Sequence, residues 1–300
     1  MKTKNIALAG HAGTGKTTLM EALLYQGGKT ERMGSVSAGT TVSDYTAEEM
    51  KRHSSVNTAT ASFLQNGEKI NLLDTPGMFD FAGGMIQGIS AADCVLIAVS
   101  GKSGVRVGTK KAYRAAQGKP RMFVVTKLDD ENANFYNVLT ELKSTFGPSV
   151  CPVVVPVIVD RKVDSYINLI EMKAYRYDAD GKAQEIPMPT AEVSEKLSYR
   201  VDGLIQAFSE AVAETDEALF EKFFSGEEFT QKERVDGIHK GMRDGTITPV
   251  ACVSAQTMEG VDLLCKEMEL LIPAPEKTDE ILGETPSGEP VAVHPDAAEP

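Results

Sequence analysis

Residues Gly10-His11-Ala12-Gly13-Thr14-Gly15-Lys16-Thr17 follow the pattern G-x-x-x-x-G-K-T, between the apolar run Asn5–Ala9 and the helical pattern Lys16–Tyr25. Glycines here let backbone N–H groups turn inward around an anion, and the helix N-terminus, where Thr18 follows, adds positive potential. Lys16 is expected to reach the β- and γ-phosphates of a nucleotide, and the Thr17 hydroxyl to ligate Mg2+. Asp74-Thr75-Pro76-Gly77 closes the apolar run Ile70-Asn71-Leu72-Leu73. That places the Asp74 carboxylate at a strand end, able to hold Mg2+ through water, and lets Gly77 present its N–H to a γ-phosphate. Thr126-Lys127-Leu128-Asp129 follows a further run, Met122–Val125. An aspartate there can accept from both N1–H and the 2-amino group of guanine, which adenine cannot offer, while the Lys127 stem covers one face of the base. Ser254-Ala255-Gln256 follows the run Pro249–Val253 and brings backbone N–H groups to the guanine carbonyl. Each stretch alone has a bland alternative, a glycine loop or a surface turn. Their shared order and spacing point to GTP or GDP with magnesium.

These stretches need a scaffold that gathers strand ends. Short apolar runs (Asn5–Ala9, Ile70–Leu73, Cys94–Val99, Met122–Thr126, Cys151–Val155, Pro249–Val253) alternate with helical patterns at Lys16–Tyr25, Gly83–Ala92, Thr109–Gln117, Asn134–Phe146 and Gly260–Leu271. The alternation predicts an α/β fold, a mostly parallel central sheet flanked by helices. The last helix is expected to stop before Pro273 and Pro275. Between about Asp160 and Gly245 the pattern breaks. Tyr166–Tyr177 reads as one strand, Asp178-Ala179-Asp180-Gly181 as a turn and Lys182–Ile186 as its return, followed by helices at Ala191–Glu214, Asp216–Phe224 and Thr230–Arg243. The reading is residues 1–159 and 246–275 as a nucleotide domain, 160–245 as an α+β insertion, and 276–300 as an acidic linker.

Composition bounds the partners. Acidic residues outnumber basic ones by 43 to 31, a net charge of −12, so charge alone does not draw this chain to nucleic acid. With no tryptophan and no interleaved basic and aromatic residues, no base-stacking surface for nucleic acid is expected. The segment 276–300 sets one Lys against seven Asp or Glu, a net of −6, and reads as linker with little core of its own. Cys94, Cys151, Cys252 and Cys265 lack metal-site spacing and are expected as buried, reduced thiols in a cytoplasmic chain. The N-terminal apolar run is too short for a signal peptide or a membrane span, and a monomer is expected.

The four stretches resemble the translational GTPases, above all elongation factor G and its divergent paralogues, including ribosomal-protection proteins. Asp74-Thr75-Pro76-Gly77-Met78-Phe79-Asp80-Phe81 is similar to that family's Asp-Thr-Pro-Gly-His-Val-Asp-Phe. Ala213-Glu214-Thr215-Asp216-Glu217-Ala218-Leu219 and Glu221-Lys222-Phe223 fit its insertion, and the likeness runs from about Asn5 to Pro275. The resemblance implies a P-loop GTPase domain, GTP hydrolysis, ribosome association and further domains beyond this stretch.

Four positions depart from the family pattern. Arg52-His53-Ser54-Ser55-Val56 stands where the family has Arg-Gly-Ile-Thr-Ile, so Ser55 takes the magnesium-ligating threonine position and keeps the hydroxyl. Gly13 replaces an aspartate, and Thr126 replaces an asparagine, which is expected to loosen the tie between base loop and phosphate loop. Met78 replaces the histidine that orients attacking water, and a thioether cannot donate. Asp74, Gly77 and Lys16 remain, so hydrolysis is expected to be slow or conditional. His53 is read as a solvated loop residue, and His11 as no substitute, since the family carries a histidine there too. The competing readings are a non-hydrolysing, GTP-dependent ribosome-binding module and, disfavoured by Lys127 and Asp129, an ATP-dependent enzyme. Phe208, Phe220, Phe223 and Phe224 are expected to pack the insertion's core, and Glu48-Glu49 to be solvated.

Overall fold

Apolar runs shielded on both faces form the middle of a seven-stranded sheet ordered β2-β3-β1-β4-β5-β11-β6. These strands are β1 (Thr3–Gly10), β2 (Ala59–Gln65), β3 (Glu68–Asp74), β4 (Cys94–Ser100), β5 (Arg121–Thr126), β6 (Val150–Pro152) and β11 (Thr248–Cys252). The computed structural model describes residues 2–189, 201–272 and 281–293. Every neighbour in the sheet is parallel except β2, which runs antiparallel to β3. All seven residues of β4 are buried, as a strand covered by helices on both faces must be. The crossovers carry α1 (Lys16–Gln26), α3 (Ala82–Ala91), α4 (Val107–Ala115) and α5 (Phe135–Phe146). A short helix, α2 (Ala47–Arg52), lies in the long connection from α1 to β2.

The edge strand β2 lies outside the expected strands: Thr60 and Ser62 interrupt its apolar residues, and only Ala59 and Phe63 are buried. The run Cys151–Val155 is not one strand. Val153 donates its N–H to Val250 of β11 and accepts Leu169 N–H with its carbonyl, so the chain changes sheets there. The second sheet is antiparallel, ordered β10-β9-β8-β7, with β7 (Val154–Val159), β8 (Lys162–Asn168), β9 (Lys173–Tyr177) and β10 (Ala183–Ile186). Tyr166–Tyr177 is correspondingly two strands. The Asn168 side chain accepts the N–H groups of Ile170 and Glu171, turning the chain back before β9. The turn over Asp178–Lys182 closes as expected, with Asp178 N–H on Lys182 O at 3.2 Å.

Helices Val201–Ala213, Glu217–Phe224 and Gln231–Asp244 complete this region; residues 191–200 of the expected helix lie outside the described residues. Phe208 is fully buried, but Phe220 and Phe224 are 47% and 71% exposed. The four-residue spacing of Phe220 and Phe224 turns them outward together, while Phe223 faces Phe229. The helix Val261–Leu271 ends before Pro273. The stretch read as linker holds a two-stranded antiparallel hairpin, β12 (Ile281–Glu284) with β13 (Pro290–Val293).

Candidate nucleotide site

β1, β3, β5 and β11 all end on one edge of the sheet, where open α/β sheets receive their ligands. The loop His11–Gly15 leaves β1 there and enters α1 at Lys16. Lys16 is 6% exposed and donates to the carbonyls of His11 (3.1 Å) and Gly10 (3.4 Å). Burial holds its ammonium below the usual lysine range, opposed by the carboxylates of Asp74 and Asp44. Gly77 packs onto this loop: a Cβ there would collide with Lys16 Nζ and stand 2.8 Å from the Ala12 nitrogen. Only glycine permits so close an approach.

Beside Lys16 lies a cluster of oxygens. Thr17 donates to Asp74 Oδ2 at 2.7 Å, Ser43 donates to the same atom at 2.9 Å, and Ser55 Oγ stands 3.2 Å from Thr17 Oγ1. Thus the three residues expected to hold a metal, Thr17, Ser55 and Asp74, do converge. The other Asp74 oxygen and both Asp44 oxygens are buried with no hydrogen-bond partner. A compact set of hydroxyls and free carboxylate oxygens suits a hard divalent cation such as magnesium. Burial pushes Asp74 up to about 6 against the pull of Lys16, Thr17 and Ser43, and raises Asp44 as well.

Sequence reading missed Ser43 and Asp44, which lie in the connection from α1 to β2 and carry no motif. It also misjudged Glu49. Only 1% exposed, Glu49 accepts the N–H groups of Val56 and Asn57 at 3.0 Å and closes a capping box with Thr46. A second buried glutamate, Glu21 of α1, accepts Gly34 N–H (3.0 Å) and Val42 N–H (2.6 Å). Together they fasten the loop that carries Ser43, Asp44 and Ser55. His53 is exposed, with Nδ1 3.0 Å from the Val36 carbonyl.

At the other end, Gly15, Thr18, Thr126, Lys127, Asp129 and Gln256 help line a cavity of about 200 Å³. Asp129 is exposed toward it and accepts the Ser254 hydroxyl at 2.6 Å. Thr126 still ties the two loops together. Its hydroxyl donates to the Thr14 carbonyl at 2.6 Å. Ser254 also departs from expectation: its N–H is taken by the Glu259 carbonyl (2.9 Å), so among these three the N–H groups left for a base carbonyl are those of Ala255 and Gln256.

Met78 is 37% exposed just beyond Gly77, and neighbouring Phe79 lies between the His11 ring (5.6 Å) and the Lys111 ammonium (4.3 Å). Burial, then Lys16 and Arg106, hold the His11 imidazole below its usual range. A Cβ at Gly13 would meet open space, its own chain neighbours aside. The cysteines are buried thiols, with Cys94, Cys151 and Cys265 pushed up to about 12, too high for nucleophilic work. Among the described residues no helix is long and apolar enough to cross a membrane.

A strand-ended phosphate loop, an oxygen cluster beside it and an aspartate across a cavity define a phosphate-loop nucleotide-binding domain. The chain belongs to the elongation factor Tu GTP binding domain family, which matches residues 1–274. It is 36% identical over 259 residues to the elongation factor G-like protein in two strains of Mycobacterium tuberculosis, covering 86% of this chain. A crystal structure of a Thermus thermophilus protein superposes with a TM-score of 0.83 at 41% identity over 92% of this chain. The chain spans 35% of the length of those curated relatives and 40% of the Thermus chain.

Proposed function

We propose that this chain is the nucleotide-binding part of an elongation-factor-G-like translational GTPase, binding GTP and GDP with magnesium and hydrolysing GTP slowly. Convergence of Lys16, Thr17, Ser55 and Asp74 at one end of the groove, with Asp129 at the other, carries this reading. Lys16 and the loop N–H groups would bind the phosphates, while Thr17, Ser55 and Asp74 would hold the magnesium, which neutralises phosphate charge. Asp129 would select guanine through the N1–H and 2-amino pair. The family likeness supports ribosome association and a cytoplasmic location, and a monomer is part of this proposal.

Slow turnover rests on Met78. Its thioether accepts weakly and donates nothing, so it cannot orient water beside Gly77. Restoring such a group is worth roughly 10²–10⁴ in rate. Single-turnover GTP hydrolysis with ribosomes present tests this: Met78→His is expected to accelerate the reaction about 100-fold or more. Equal fast rates in both proteins would refute it. Gly13 in place of the family's aspartate, together with Met78, favours a second reading, a GTP-dependent ribosome-binding module that releases by exchange. Release of no phosphate over hours, with binding intact, would favour that module.

A further inference from the structure

The antiparallel sheet is joined to the base end of the groove at three points. Tyr166 of β8, 1% exposed, donates its hydroxyl to Glu259 Oε2 at 3.1 Å. Tyr177 of β9 donates to Asp262 Oδ1, and the two tyrosine rings meet edge to face at 5.3 Å. Gly181, in the turn after β9, sits at φ +73°, where a Cβ would come within 2.8 Å of both Met258 Cβ and the Thr257 carbonyl. The segment so gripped, Thr257–Asp262, continues directly from Ser254-Ala255-Gln256. Ser254 is bridged to Glu259 through its N–H (2.9 Å) and presents its hydroxyl to Asp129 (2.6 Å).

We infer that Tyr166 and Tyr177 are positioning residues for guanine recognition, holding Ser254 and through it Asp129 from the inserted sheet. The inference rests on the guanine-nucleotide reading and deepens it. Neither tyrosine touches the cavity. Each anchors a carboxylate on the segment that must keep Ser254 in reach of Asp129. With those bonds gone, Asp129 can still meet a base but its orientation is no longer imposed. The cost therefore falls on the paired hydrogen bonds to N1–H and the 2-amino group. The phosphate contacts of Lys16 are untouched.

Comparing GDP with IDP, which lacks the 2-amino group, isolates that cost. In the 300-residue chain, Tyr166→Phe with Tyr177→Phe is expected to weaken GDP binding about 10-fold, IDP distinctly less, and so to lower the GDP-to-IDP preference. Gly181→Ala, at a half-buried turn position, pries the same contact apart and is expected to lower the preference about 3-fold, which keeps the question open to measurement if the double variant fails to fold. A purely structural role predicts a lower Tm with an unchanged GDP-to-IDP ratio, and that result would overturn the inference. Wild-type chain that binds no GDP would instead sink the nucleotide reading itself.

Discussion

At the phosphate end of the groove the groups that would hold the ligand are bonded directly to one another, whereas at the base end the recognising aspartate is held through a chain of intermediaries. Thr17, Ser43 and Asp74 interlock beside Lys16, which donates to the loop carbonyls, and Glu21 and Glu49 fasten the loop that completes the cluster. At the base end, Asp129 depends on Ser254, and Ser254 on a segment held by Tyr166 and Tyr177. A phosphate is bound by charge and backbone dipoles, which tolerate small displacements. Selecting one purine needs two directed hydrogen bonds, and these do not. The more demanding task is served by the longer chain of supports.

The largest effect is expected at the phosphate end. Lys16→Ala removes the only ammonium in the loop and should lower GDP affinity about 100-fold or more, measured by calorimetry. Comparable loss of GTP, GDP and GMP binding would mean the charge does not act on the β- and γ-phosphates. Asp129→Asn should cost GDP about 30-fold while improving binding of XDP, whose 2-carbonyl needs a donor. A uniform loss across both bases would break the assignment of guanine choice to this carboxylate.

Next in size is the fastening of the connecting loop. Glu21→Ala leaves the N–H groups of Gly34 and Val42 without their acceptor, and proteolytic cleavage within 34–42 should speed up about tenfold. Glu21→Gln, which keeps an acceptor, should show less.

The smallest effect concerns the junction of the last helix with the second sheet. Glu267 is fully buried, accepts from Asn168 at 2.7 Å and leaves its second oxygen unpartnered. Burial, reinforced by Glu171 and opposed by Asn168 and Lys266, pushes it up to about 8 from 4.5. The folded chain keeps a proton that the unfolded chain loses, so this contribution is full below 4.5 and declines as pH rises toward 8. Glu267→Gln should therefore raise Tm by about 3 °C at pH 8.5, with the gain vanishing near pH 4.5. A gain independent of pH would show that charge is not the cause.

Much of this site was legible because phosphate loops are local. Gly10 through Thr17 need only a strand before them and a helix after, and both signals are contiguous in the chain. Asp74 was findable because it closes an apolar run, and Asp129 because the Thr-Lys-Leu-Asp stretch starts where another run ends. Asp44 and Glu49 had no such signal. Their burial depends on a loop folding back over α1, and an acidic residue in a polar stretch looks solvated until that happens. Thr126 shows the converse. The shorter side chain that stands in place of asparagine gives no hint of its partner in the sequence; only backbone placement brings its hydroxyl within 2.6 Å of Thr14.

Residue order alone set the strand–loop–helix alternation, the guanine-type motifs and the four departures at Gly13, Ser55, Met78 and Thr126, because hydrophobic periodicity and turn chemistry act over a few neighbours. Tertiary structure decided that Val153 switches sheets, that Phe220 and Phe224 face outward, and that two tyrosines from the second sheet reach the segment behind Asp129. Those outcomes depend on which distant surfaces meet, and burial and hydrogen bonding between residues some 90 positions apart become defined only once the chain has closed on itself.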